Sequence, residues 1–178
     1  MKKTKLITTL GLMAALSVLL VTLVHFPIFP AAPFMEYDPA DIPIFIATFM
    51  FGPTAGLILT VVVSLVQGLT VSAGGGEMGI IMHIVSTGAF AVIAGNIYKR
   101  NRNKKGAVIA LISGVITMTV IMAFCNILLT PIYMHVERSV VISMLLPVII
   151  PFNLIKAGVN ALITMLVYKK ISKFINKF

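Results

Sequence analysis

The chain has 178 residues, of which 59% are apolar or aromatic and only 11% charged, too little polar surface to close a water-soluble domain of this size. A formal charge of +9 would suggest nucleic acid in a soluble protein, but the basic residues form short clusters without an aromatic platform, which excludes that class. A single cysteine, Cys125, within an apolar run excludes a disulfide framework and a thiolate metal site.

Lys2, Lys3 and Lys5 precede the apolar run Leu6 to Val24, long enough to cross the ~30 Å of a bilayer core as a helix. It is longer than the apolar core of a secretory signal and more apolar runs follow, so it reads as a retained first helix. Residues 26–41 are rich in proline and acid. Ile42 to Phe51 is a short apolar run, broken by Gly52-Pro53 before a second run, Thr54 to Val71. A loop over 72–77 leads to Met78 to Tyr98. The cluster Lys99, Arg100, Arg102, Lys104 and Lys105 separates that run from Ala107 to Thr130. The last run, Ser139 to Tyr168, carries Pro147 and Pro151 and ends on Lys169, Lys170, Lys173 and Lys177.

Three basic groups thus hold 12 of the 14 Lys and Arg residues, while Glu36, Asp38, Asp41, Glu77 and Glu137 all fall in the breaks between them. The positive-inside rule puts the basic groups in the cytoplasm. One crossing over 42–71 would strand the 99–105 cluster outside; two crossings keep all three groups inside. Ten helical residues reach only ~15 Å, so the short helix has to be tilted, extended by its flanks or sheltered by neighbours. The sequence therefore predicts an all-α integral membrane bundle of six transmembrane helices, one domain over 1–178. Both termini and the 99–105 loop are expected in the cytoplasm, and 26–41 outside.

Polar side chains are costly in hydrocarbon, so their depth is informative. Gln67, His83, Asn126 and Lys156 lie four or five residues inside the outer ends of four different helices, at ~6–8 Å by helical rise. That common level is the signature of one cavity open to the outside. Asn153, Lys156 and Asn160 share a helix face by their i, i+3, i+7 spacing. Other readings stay open: Lys156 snorkelling to the interface, Gln67 and Asn126 as interhelical contacts, His83 as a packing residue. Gly11 and Ala15 give the first helix a small-xxx-small strip suited to close helix approach, within the bundle or with another chain; Gly88, Gly95 and Gly114 suit packing. No phosphate-cradling G-x-x-x-x-G-K-[ST] is present, and His25, His83 and His135 lack metal-ligand spacing. A binding or transport subunit is favoured over an enzyme.

The stretch Phe34-Met35-Glu36-Tyr37-Asp38-Pro39-Ala40-Asp41-Ile42-Pro43, followed by Phe51-Gly52-Pro53-Thr54-Ala55-Gly56, resembles the substrate-binding S component of energy-coupling factor vitamin transporters, most of all their riboflavin-specific branch. Val63 to Thr70, Gly79-Ile80-Ile81-Met82-His83 and Pro151-Phe152-Asn153-Leu154-Ile155-Lys156 extend the similarity. The resemblance implies a six-helix fold in a bacterial cell membrane that takes riboflavin from outside beneath 26–41 as an extracellular lid loop, with no cofactor of its own. Its partners would be a transmembrane coupling subunit and two ATPases that use the ATP. It carries substrate binding onto Asn126, Asn153, Lys156, Asn160, Gln67, Gly79 and His83, with Tyr37 and Asp38 holding the lid, and coupling-subunit docking onto Gly11 and Ala15. Where the family commonly has A-x-x-x-A, this chain has Gly11 first, which keeps the strip flat. Two alternatives remain at this stage: the same scaffold for another vitamin, and a small membrane scaffold protein without a ligand.

Overall fold

The computed structural model describes residues 3–30, 32–71 and 76–175, with side chains to Tyr168 in the last helix. Among these, helices α1 (Lys3–Leu23), α2 (Asp41–Phe51), α3 (Pro53–Leu69), α4 (Gly76–Arg100) and α5 (Lys104–Met134) are followed by a composite rod. That rod is α6 (Arg138–Met144), a π-helical turn at Leu145–Ile149 and α7 (Ile150–Ile175). Four rods are long and apolar enough to cross a membrane: α1, α4, α5 and Arg138–Tyr168; α2 and α3 are shorter apolar helices. Of the expected 72–77 loop, 72–75 lie outside the described residues, and Gly76 and Glu77 already belong to α4.

The break at Gly52-Pro53 is a chain reversal. Gly52 has φ +96°, a conformation that favours glycine, and its N–H caps α2 by donating to Thr48 O at 2.9 Å. Pro53 then opens α3, where a missing N–H costs nothing. Side-chain pairs fix the directions. Phe45 stacks on Phe90 and Phe49 on Tyr98, so α2 runs parallel to α4. Contacts of Pro53 with Gly95 and Ser64 with His83 make α3 antiparallel to α4. Phe49, Tyr98 and Tyr168 meet as a ring cluster, while Asp38, just before α2, meets Lys156 earlier in α7, so α7 runs parallel to α2 as well. Lys3, Lys5 and the 99–105 cluster thereby gather at one end of the bundle, and the five acidic residues at the other.

The core lies between α2, α3, α4, α5 and α7, around Phe45, Leu59, Val63 and Phe90. Small residues set the spacing: Gly114 lies against the Phe90 ring, Gly88 against Leu57, and Gly56 against Thr48 and Ala91. α1 is largely exposed and touches the core through Leu10, Met13 and Ala14.

The segment between α1 and α2 folds inward. Phe26–Pro27 (β1) and Glu36–Tyr37 (β2) form a two-stranded antiparallel ladder. Ala32 and Met35 are buried with Val141, Val148, Ile149 and Phe152 in a second apolar cluster. The π turn contains Pro147, which interrupts the ordinary helical ladder, and it carries Val148 and Ile149 into that cluster. The lid is therefore a packed structural layer.

A Cβ on Gly95 would meet Pro53 Cα at 2.9 Å, with backbone as the obstacle. Gly95→Val is expected to destabilise the bundle by ~1–3 kcal/mol, read as a lower apparent Tm in detergent. Gly158→Ala, where a Cβ meets nothing within 4 Å, is expected to leave the Tm unchanged or raise it.

Candidate substrate cavity

At the acidic end a cavity of about 530 Å³ opens beneath the lid. The structure brings these residues together: Gln67 from α3, Gly79 and His83 from α4, Asn126 from α5, and Asn153 and Lys156 from α7 all line it. The lid contributes Asp38. Each polar group is oriented by its own helix or by a neighbour. Asn126 Nδ2 donates to Met122 O at 2.8 Å, and Thr130 Oγ1 donates to Asn126 Oδ1 at 2.9 Å. Asn153 Nδ2 donates to Ile149 O at 2.8 Å, while its Oδ1 accepts no hydrogen bond among the described residues and remains available to a ligand.

Lys156 ties the lid to the cavity wall. Its ammonium donates to Asp38 Oδ2 at 2.6 Å and to Glu36 O at 3.3 Å. Asp38 Oδ1 meanwhile accepts from Ala40 N at 3.0 Å, turning the chain into α2. One turn deeper, Asn160 is fully buried and makes a pair of lid contacts: Nδ2 donates to Asp38 O at 3.0 Å, and Tyr37 Oη donates to Asn160 Oδ1 at 3.1 Å. Burial, with Asp38 beside it, pushes the Tyr37 phenol up, so it stays a donor through neutral pH. Tyr37 and Asn160 are absent from the cavity lining; they lie behind it and fasten the lid.

His83 is held on both sides. Nε2 lies 3.0 Å from Asp41 Oδ1, and Nδ1 lies 2.6 Å from Ser64 Oγ. Thr87 Oγ1 also donates to Asp41 Oδ1, at 3.2 Å. Asp41 is wholly buried at the start of α2; the histidine and threonine both contact Oδ1, while Oδ2 has no hydrogen-bond partner among the described residues.

The remaining walls were not singled out by the sequence. Met35, Met78, Met82, Met118 and Met122 give a polarizable apolar surface, closed by Phe34 and Phe152. Methionine in a membrane helix looks like any packing residue, so no sequence signal marks these five. Ser86 also lines the cavity, and its buried Oγ has no hydrogen-bond partner among the described residues. Among the described residues no cluster of three or more His, Cys, Asp or Glu is placed to hold a metal ion.

The family model for the substrate-specific component of ECF transporters matches residues 5–168. The chain belongs to that family. It is similar to the riboflavin transporter RibU of Staphylococcus aureus, 31% identical over 99% of this chain and 95% of that protein. It is also similar to the riboflavin transporter FmnP of Bacillus subtilis, 26% identical over 98% and 96% of the two chains. A solved S component of a bacterial ECF transporter superposes with a TM-score of 0.82 at 31% identity, covering 98% of this chain and 99% of that one. This S component is accordingly a multi-pass bacterial membrane protein that binds a substrate and is not an enzyme. Such components work with other subunits in a membrane-embedded module.

Removing Asp38 leaves the Lys156 ammonium without its anion beneath the lid. Asp38→Ala is expected to cost ~1.5–3 kcal/mol of stability, read as a lower Tm at pH 7. The double variant Asp38→Asn/Lys156→Met is expected to recover part of that loss, because both charges leave together.

Proposed function

We propose that this S component captures riboflavin from outside the cell and delivers it to an ATP-driven module. The observation that carries the reading is the polar set at the cavity's α5–α7 wall: Asn126, Asn153 and Lys156, facing a methionine-rich wall across about 530 Å³. A flavin's pyrimidine edge presents an N–H between two carbonyl acceptors. Asparagine both donates and accepts and can pair with that edge, while lysine only donates and suits a carbonyl or ring nitrogen. The apolar walls suit the faces of a tricyclic ring. The riboflavin transporters of S. aureus and B. subtilis, similar over nearly the full chain, support the same substrate.

In this reading α2 and α3 are each a crossing, which gives six spans. The reversal at Gly52 and the gathering of Lys3, Lys5 and the 99–105 cluster at one end support that count, with that end and both termini cytoplasmic. Residues 26–41 act as the extracellular lid. Lys156 then has two partners in turn: Asp38 in the empty state, and the ligand when bound. The coupling subunit docks on α1. Gly11 and Ala15 are both exposed, on a face flanked by exposed Leu12, Leu16 and Leu19, and a Cβ on Gly11 would meet nothing within 4 Å. Two ATPases complete the module.

Protein purified in detergent is expected to be yellow and to quench flavin fluorescence on titration. Asn153→Ala and Lys156→Ala are each expected to weaken that binding by ~1–3 kcal/mol. Unchanged affinity in both would remove the site assignment, and colourless protein that ignores riboflavin but binds another vitamin would replace the substrate. A Gly11→Leu/Ala15→Leu variant is expected to bind riboflavin normally yet fail to copurify with the coupling subunit. Normal copurification would move the docking face elsewhere.

A further inference from the structure

A second concavity shares no residue with the substrate cavity. It runs between α5 and α7 toward the basic end, lined by Val108, Leu111 and Val115 on one side and Leu154, Gly158 and Met165 on the other. It encloses about 390 Å³, and every lining residue is apolar. Val108 to Ile116 spans ~12 Å by helical rise, so the groove fits within one leaflet of a ~30 Å hydrocarbon core. A groove of that length and volume accommodates an extended stretch of hydrocarbon chain. Gly158 keeps the floor open: a Cβ there meets nothing within 4 Å.

Charge marks one mouth of the groove. Lys104 and Lys105 begin α5 and are both exposed. Positions 104, 108, 111 and 115 follow i, i+4, i+7, i+11 spacing, and 105, 108, 112 and 116 follow i, i+3, i+7, i+11. Both lysines therefore stand on the groove's own face of α5, one turn beyond its end. An ammonium pair at headgroup level, directly below an acyl-sized slot, matches an amphiphile with an anionic head and a hydrocarbon tail. Water is a poor occupant of a wholly apolar slot.

We propose that the α5–α7 groove binds one acyl chain of an anionic phospholipid, whose phosphate is held by Lys104 and Lys105. The site does not depend on which substrate the other cavity holds.

The test is native mass spectrometry of the full chain from mild detergent, titrated with phosphatidylglycerol or phosphatidylcholine of identical chains. Wild type is expected to retain one phosphatidylglycerol with a ~10-fold or greater preference over phosphatidylcholine. Gly158→Leu, which fills the slot, is expected to lose that bound lipid while its helical circular dichroism is unchanged. Lys104→Gln/Lys105→Gln is expected to bind the two lipids alike, and this decides the headgroup assignment even if Gly158→Leu fails to fold. Equal retention of both lipids by wild type would overturn the proposal. So would a folded Gly158→Leu variant that keeps its phosphatidylglycerol, or one that instead loses copurification with a coupling subunit, which would make the occupant a protein helix.

Discussion

A lysine within a membrane helix has to find an anion or reach water, and Lys156 finds Asp38. Much of the cavity's form follows from that pairing. It brings 26–41 down onto α7, where Tyr37 and Asn160 add hydrogen bonds and Ala32 and Met35 add apolar burial. Because Asp38 uses its other oxygen to turn the chain into α2, the same carboxylate sets both the lid's position and the start of the next helix. Three residues on, Asp41 meets His83 and Thr87, so the lid's far end is fastened to α4 as its middle is to α7. The cavity is the space left between these two fastenings.

In the proposed function one group would serve both closure and binding. Lys156 lines the cavity while it bonds Asp38, so a ligand that took up its ammonium would compete with Asp38 for the same protons. Asn160 would escape that competition because it lies behind the wall, bonded among the described residues to Tyr37 and Asp38. In that reading the lid has a contact that ligand exchanges and a set that it does not reach. The two short helices support this geometry: α2 is braced by Phe45 on Phe90 and by Phe49 on Tyr98, with α3 covering its flank at small-residue contacts. Such neighbours bury nearly all of a helix of only 11 residues.

The long, strongly apolar runs and the charge clusters were legible because the bilayer makes hydropathy and charge placement unusually decisive. Asn126, Asn153, Lys156, His83 and Gln67 were legible as a layer for the same reason: a polar atom in hydrocarbon needs a purpose. The five cavity methionines were not, because an apolar wall around a ligand has the same composition as an apolar wall around a core. Asp41 read as one more acid in a loop; its burial against His83 depends on two segments 42 residues apart meeting. The π turn at Leu145–Ile149 was likewise hidden inside what reads as a single proline-bearing helix.

By itself, then, the sequence determined that this is a multi-spanning helical membrane bundle, where its charges collect and which polar groups share one level along their helices. These follow from local composition and from rise per residue, which need no partner. Only the tertiary structure decided that Asn153 and Lys156 face the cavity while Asn160, on the same helix face, turns to the lid. It also decided that Tyr37 and Asp38 fold onto α7 instead of extending into water. Those outcomes rest on hydrogen bonds across more than 110 residues of sequence, and spacing along one helix carries no information about what packs against it.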